Sequence, residues 1–196
     1  MEKVIIINDY DSFIKKIRYL KFLSKLRINL FVCYKSKVYA SSKDKHPEEM
    51  DMTLKLLDIL NTHRRKDKYN LIYDYACNYL DNEFQKNNWC GFKNNMCECN
   101  RNKPIEYQTS SCCTRTYTKE TCKYLDEEKK RCSIRCLACK LFVCNYLIKK
   151  GVKYTSNKVP YLKYFLSPRQ KLISNYTFFK PQEEIVKAWQ RFYKLP

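Results

Sequence analysis

CKYLDEEKKRCSIRCLACKLFVC, residues 122–144, sets five cysteines among lysines and arginines and passes from a polar loop into an apolar helical pattern. Upstream stand Cys90, Cys97, Cys99 and the adjacent pair Cys112 and Cys113, so ten of the chain's twelve cysteines lie between Cys90 and Cys144. No histidine falls among them. Sulfur-only donors at this density point to a soft divalent ion or an iron–sulfur cluster. Four thiolates complete one tetrahedral Zn2+ or one [4Fe–4S] cubane, so these ten could supply two such centres.

The surrounding composition narrows the setting. With 196 residues, 44% of them hydrophobic, the chain can bury an ordinary core. Its apolar N-terminal run, Val4 to Ile7, is short and is followed at once by Asp9 and Asp11, unlike a secretory leader. No stretch approaches the roughly 20 apolar residues of a membrane span. A cytoplasmic location is therefore expected, where clustered thiols stay reduced and hold metal more readily than they form a disulfide framework. Lys and Arg total 39 against 20 acids, a formal charge of +19. Such an excess suits nucleic acid or an anionic surface, but an AT-rich coding bias would produce the same lysine-rich, asparagine-rich composition.

Along the chain, residues 1–45 read as a small β-α-β element: an apolar run Val4 to Ile7, a helix from Asp11 to Leu26, and strands Ile28 to Tyr34 and Lys37 to Ala40. Asp11 and Ser12 offer N-caps, and Phe13, Ile17, Leu20 and Leu23 recur at helical spacing. Residues 46–196 read as a helical cysteine-cluster domain. Pro47 sits in a first helical turn, Met50, Leu54, Leu57 and Leu60 form one stripe, and His63 to Lys66 close that helix. A second stripe from Lys68 contains Ile72, Ala76, Leu80 and Phe84, with Cys77 beside it as a core thiol; Cys33, inside a strand, is read the same way. The loop 88–144 lacks periodicity, and a bound metal supplies a reason for so long an irregular segment. A nearly all-apolar helix is expected from Ser133 to Lys149, ended by Gly151, followed by Val159 to Phe179, interrupted near Pro168, and Pro181 to Tyr193. The expected class is mainly α with a small N-terminal α/β element and a cysteine-rich loop organised around a metal centre.

On a helix starting near Cys132, the thiols of Cys132, Cys136 and Cys139 fall within about 60° of one another and project from one face. A fourth thiolate comes from Cys122, Cys112 or Cys113. Cys144 points away and joins the site only if the helix is interrupted. Cations such as Arg135 and Lys140 either lower the thiol pKa values and offset the charge of a four-thiolate centre, or form a solvated face.

Cys122-Lys-Tyr-Leu, Cys132-Ser-Ile and Cys139-Lys-Leu-Phe-Val-Cys144, in that order, resemble the signature of the YkgJ-like cysteine-cluster family, the CxxCxxCC zinc- or iron-chelating proteins. The resemblance covers about residues 112–144 and implies metal chelation, with a proposed oxidoreductase role in that family. Its opening motif is reduced here to Cys112 and Cys113, Cys136 is additional, and Lys140 stands in the place of an arginine.

Cys132-x3-Cys136-x2-Cys139 is also the cluster spacing of radical S-adenosylmethionine enzymes. The chain after Cys139 is too short for the remaining units of their barrel, Ala138 replaces the usual aromatic residue, and there is no glycine-rich loop. A cluster-dependent modifying activity on another fold stays open. No other catalytic constellation is evident: His46 and His63 lie outside the cluster in polar and basic surroundings, and Asp126, Glu127 and Glu128 read as a turn. The reading is a metal-binding protein holding zinc or iron–sulfur, with a redox or modifying role left open. The alternative is a nucleic-acid-binding module with a structural metal. There the contact falls to residues 145–196, whose eleven Lys or Arg are interleaved with Tyr161, Tyr164, Phe165, Phe178, Phe179, Trp189, Phe192 and Tyr193.

Overall fold

The computed structural model describes residues 1–89, 91, 93, 98–107, 125–126, 131–132 and 135–192. The chain is mainly helical with a small N-terminal sheet and divides into two compact units, Met1–Tyr75 and Ala76–Pro196. The division falls inside one helix rather than at residue 45.

In the first unit, β1 (Glu2–Ile6), α1 (Tyr10–Lys25) and β2 (Asn29–Tyr34) form a β-α-β crossover, with β1 and β2 parallel and Val4 opposite Phe31. β3 (Lys37–Tyr39) returns antiparallel, giving the order β1-β2-β3. The α1 cap sits earlier than expected. Asp9 is the N-cap, its Oδ1 accepting from Ser12 N–H at 2.7 Å while Ser12 Oγ accepts from Asp9 N–H at 3.2 Å, a reciprocal box that satisfies two orphan donors. The hairpin turn places Lys35 and Ser36 at φ 48° and 63°, the left-handed pair of a type I′ turn without its usual Asn-Gly.

Strand alternation decides which face is buried. Ile5, Leu30, Val32, Tyr34 and Tyr39 are buried with α1 residues Phe13, Ile17, Leu20 and Leu23, whereas Val4, Ile6 and Val38 lie exposed on the opposite face with half-buried Phe31 and Cys33. Cys33 is therefore a thiol of the outer sheet face, not of the core; the residues either side of it, Val32 and Tyr34, take the inward positions. α2 (Asp51–Asn61) follows a 3-10 turn at Glu48–Met50, so Pro47 precedes that turn instead of opening the α-helix. Its stripe is buried as expected, and Thr53, Leu56 and Ile59 are buried as well, leaving α2 covered on most sides. Asn61 fixes its end to β2, accepting from Leu30 N–H at 2.9 Å and donating to Leu30 O at 2.8 Å. α3 (Arg65–Asn87) starts before Lys68, so Arg65 and Lys66 open a helix and do not close one.

In the second unit, the later half of α3 buries Ala76, Cys77 and Leu80, and Cys77 is a core thiol as expected. Between α3 and residue 135 the described pieces are α4 (Glu98–Arg101), a 3-10 turn at Ile105–Tyr107 and the antiparallel pair β4 (Leu125–Asp126) and β5 (Arg131–Cys132). The expected helix from Ser133 to Lys149 is broken. α5 (Leu137–Leu141) and α6 (Asn145–Lys149) are separated by extended backbone, with Phe142 at ψ 126° and Cys144 at ψ 158°. α6 ends as the sequence indicates: Gly151 takes φ 82°, and Val152 N–H reaches back to Leu147 O at 3.0 Å. α7 (Pro160–Phe165), α8 (Pro168–Tyr176) and α9 (Gln182–Arg191) close the chain. Ser167 and Gln170 form a capping box on α8, and Gln170 also joins α8 to α9, donating to Trp189 O at 2.9 Å while its own carbonyl accepts from Trp189 Nε1 at 3.2 Å.

Candidate metal centre

Apart from Cys77 on α3, short elements position the described cysteines of the second unit. Cys136 is the N-cap of α5, Cys139 lies within α5, Cys144 is the N-cap of α6, Cys99 is in α4, and Cys132 ends β5. Three thiols on one helical face is therefore not the arrangement: Cys132 belongs to a strand and Cys136 caps the helix containing Cys139. The interruption at residues 142–144 is the one that would free Cys144 from a continuous helix. Cys90, Cys97, Cys112, Cys113 and Cys122 lie outside the described residues, and among the described residues no three metal-ligating side chains cluster.

Cys136 and Cys139 are brought together, because a residue at an N-cap and one three positions on face each other across the first turn. The Cys136 thiol is pulled down to about 5, foremost by the Cys139 side chain and then by backbone N–H groups of Cys139, Lys180 and Phe179, against the opposing effect of burial. The sulfur is fully buried and lies 3.5 Å from Thr177 O. These N–H groups converge because Phe179 takes φ 59° between α8 and α9, turning consecutive amides toward one atom, a backbone concavity suited to an anion. Nothing local in the sequence marks Phe179, since left-handed backbone is ordinarily signalled by Gly or Asn.

The polypeptide before Cys136 is anchored to α3. Arg135, at φ 48°, donates to Asn78 Oδ1 at 2.8 Å, and its carbonyl accepts from the Cys77 thiol at 3.5 Å. Lys140 on α5 ion-pairs with Asp81, and Tyr154 OH donates to Glu83 at 3.2 Å. Arg135 and Lys140 are thus occupied with α3, and hydrogen bonds, not these cations, make the largest contributions to lowering the Cys136 pKa. His46 is half-buried, its ring nitrogens 3.0 Å from Pro47 O and 3.1 Å from Ser42 O, so it holds its own loop and is not solvent-facing; His63 is exposed.

The aromatic residues of the C-terminal region divide in two. Tyr161 and Trp189 are core and cannot stack on bases, Phe178 meets both Phe142 and Phe179 at 6.1 Å, and Phe192 is exposed. Tyr193 lies outside the described residues. No helix among the described residues is long and apolar enough to cross a membrane.

The fold and the thiol pair together define a mainly α-helical chain with a donor-ringed C-x-x-C site. No family model, curated protein or solved structure matches it.

Proposed function

We propose that this is a metal-binding cysteine-cluster protein in which Cys136 and Cys139 hold zinc or an iron–sulfur cluster. Cys132 and one further thiolate, from Cys112, Cys113, Cys122 or Cys144, complete the set. The observation that carries this reading is the pairing of Cys136 with Cys139 under converging backbone N–H groups. Thiolate, not thiol, ligates metal, and N–H donors offset the charge of a buried sulfur before any ion arrives. The donor set suits a soft ion, because sulfur ligands select zinc or iron–sulfur over magnesium or calcium. The resemblance of residues 112–144 to the YkgJ-like family favours the same chemistry, and so dense a cluster of thiols suits a reducing, cytoplasmic setting. A redox or cluster-dependent modifying role follows only if the bound metal is iron.

Elemental analysis of the full chain, purified without oxygen, tests the reading. Cys136→Ser and Cys139→Ser should each lose most of the metal, while Cys33→Ser and Cys77→Ser keep the parent content. A visible absorbance bleached by dithionite identifies iron–sulfur, and its absence with stoichiometric zinc identifies a tetrahedral site. Full metal content in both Cys136→Ser and Cys139→Ser rejects the proposal.

A further inference from the structure

One corner of the first unit gathers cations from three elements. Ser24 on α1 donates to Leu60 O at the end of α2 and accepts from Lys68 Nζ of α3 at 3.3 Å. Asn29, at the start of β2, meets His63 Nε2 at 3.5 Å. Arg27 lies between Ser24 and Asn29, held at φ 56° where the chain leaves α1. Lys68 is half-buried, and among the described residues it has no carboxylate partner; its one acceptor is a hydroxyl that spends its own proton on Leu60. Asp67, the carboxylate beside it in sequence, faces Arg64 at 3.8 Å instead. An ammonium has three donors, and among the described residues only the Ser24 hydroxyl accepts from Lys68.

The crowding registers in both titratable members. Lys68 lies below the ordinary lysine range, first through burial and then through the charge of Lys21, and His63 is lowered by burial, then by Lys68 and Arg27. Like charges held together raise the energy of the protein alone, and an anion bound among them relieves it.

We infer that Lys68, Arg27 and His63, with Lys21 alongside, form an anion site that takes a phosphate group, either free phosphate or a phosphodiester of a nucleic-acid strand. The site is independent of the cysteines. A half-buried, compact ammonium and an exposed guanidinium suit phosphate, the first as a point charge and the second as a planar fork.

The test uses the full chain and two probes: inorganic phosphate, followed by thermal shift against chloride at equal ionic strength, and a labelled random single-stranded DNA, followed by anisotropy. At least one probe should bind, and Lys68→Met and Arg27→Gln should each weaken it about tenfold. Lys187→Met, which removes the same charge from α9, should change affinity less than about twofold, because a remote surface charge contributes only to the screened field. Binding of the strand without competition from phosphate assigns the source to nucleic acid, and binding of phosphate alone assigns it to the free ion. Circular dichroism checks folding, and if Lys68→Met unfolds, the exposed Arg27→Gln decides. Failure of both probes to bind, or equal weakening by Lys187→Met and Arg27→Gln, overturns the inference.

Discussion

Thr53 is fully buried on α2, and among the described residues its hydroxyl has no hydrogen-bond partner. A buried donor left unpaired costs about 1–3 kcal/mol, and valine has the same shape without that group. Thr53→Val should therefore stabilise the protein by about 1 kcal/mol in denaturant unfolding, and a loss of stability would show that the hydroxyl is paired. Tyr75 carries a pH dependence. Burial, and beyond it the Asp58 carboxylate to which its OH donates at 2.8 Å, pushes it up to about 12. The folded protein thus favours the protonated phenol, a contribution present below the ordinary value of 10.0 and lost as pH rises from there through about 12. Tyr75→Phe should flatten the alkaline fall in stability over that interval, and an unchanged fall would assign it elsewhere. Single residues were unevenly legible: Cys77 declares its burial through the stripe of Ile72, Ala76 and Leu80, whereas Cys33 alternates onto the outer sheet face, a choice that depends on register with β1 and not on local composition.

Helices and turns were legible where a side chain terminates them. Pro168, Gly151 and the acidic start of α9 all mark real boundaries, and Ser167→Ala should cost about 1 kcal/mol by removing one half of the α8 capping box, measurable as a lowered unfolding midpoint. The break between α5 and α6 carries no such mark. Leu141, Phe142, Val143 and Cys144 continue an apolar run that suits a helix, and the N-cap that restarts it, Cys144, makes no side-chain capping hydrogen bond. Periodicity cannot register a boundary that no helix-breaking residue marks. The β2-β3 hairpin poses the converse case, since its strands are evident and its turn residues are poor. Replacing Lys35-Ser36 by Asn-Gly should stabilise the first unit by about 1 kcal/mol, because those residues occupy positive φ at lower cost. No gain in thermal unfolding would mean that the ring contact of Lys35 with Tyr34, at 4.8 Å, offsets the strain.

The two compact units are built from different kinds of element. Met1–Tyr75 buries a sheet face under α1 and α2, a hydrophobic arrangement of the kind composition and periodicity report well. Ala76–Pro196 places its described cysteines other than Cys77 in or at the start of helices of four or five residues and on a two-residue strand, too short to stand on propensity. Ligation can supply the missing order, and residue spacing does not encode the path by which distant thiols meet. Chelation under reducing conditions should therefore remove amide-exchange protection from α5 and α6 while α1 and α2 keep theirs. Uniform loss across both units, or none in either, would contradict a metal-dependent second unit. The formal charge of +19 was visible at once, but its local meaning was not, because only folding brings the charges of Arg27 and Lys68 to bear on His63.

The amides of Phe179 and Lys180 that face Cys136 belong to the main chain, and no point substitution other than proline can delete them. Robustness and fragility are divided accordingly. Most replacements of the Phe179 ring leave the donors in place, whereas inserting or removing one residue between Thr177 and Lys180 would re-aim both at once. For this sulfur, loop length matters more than loop composition.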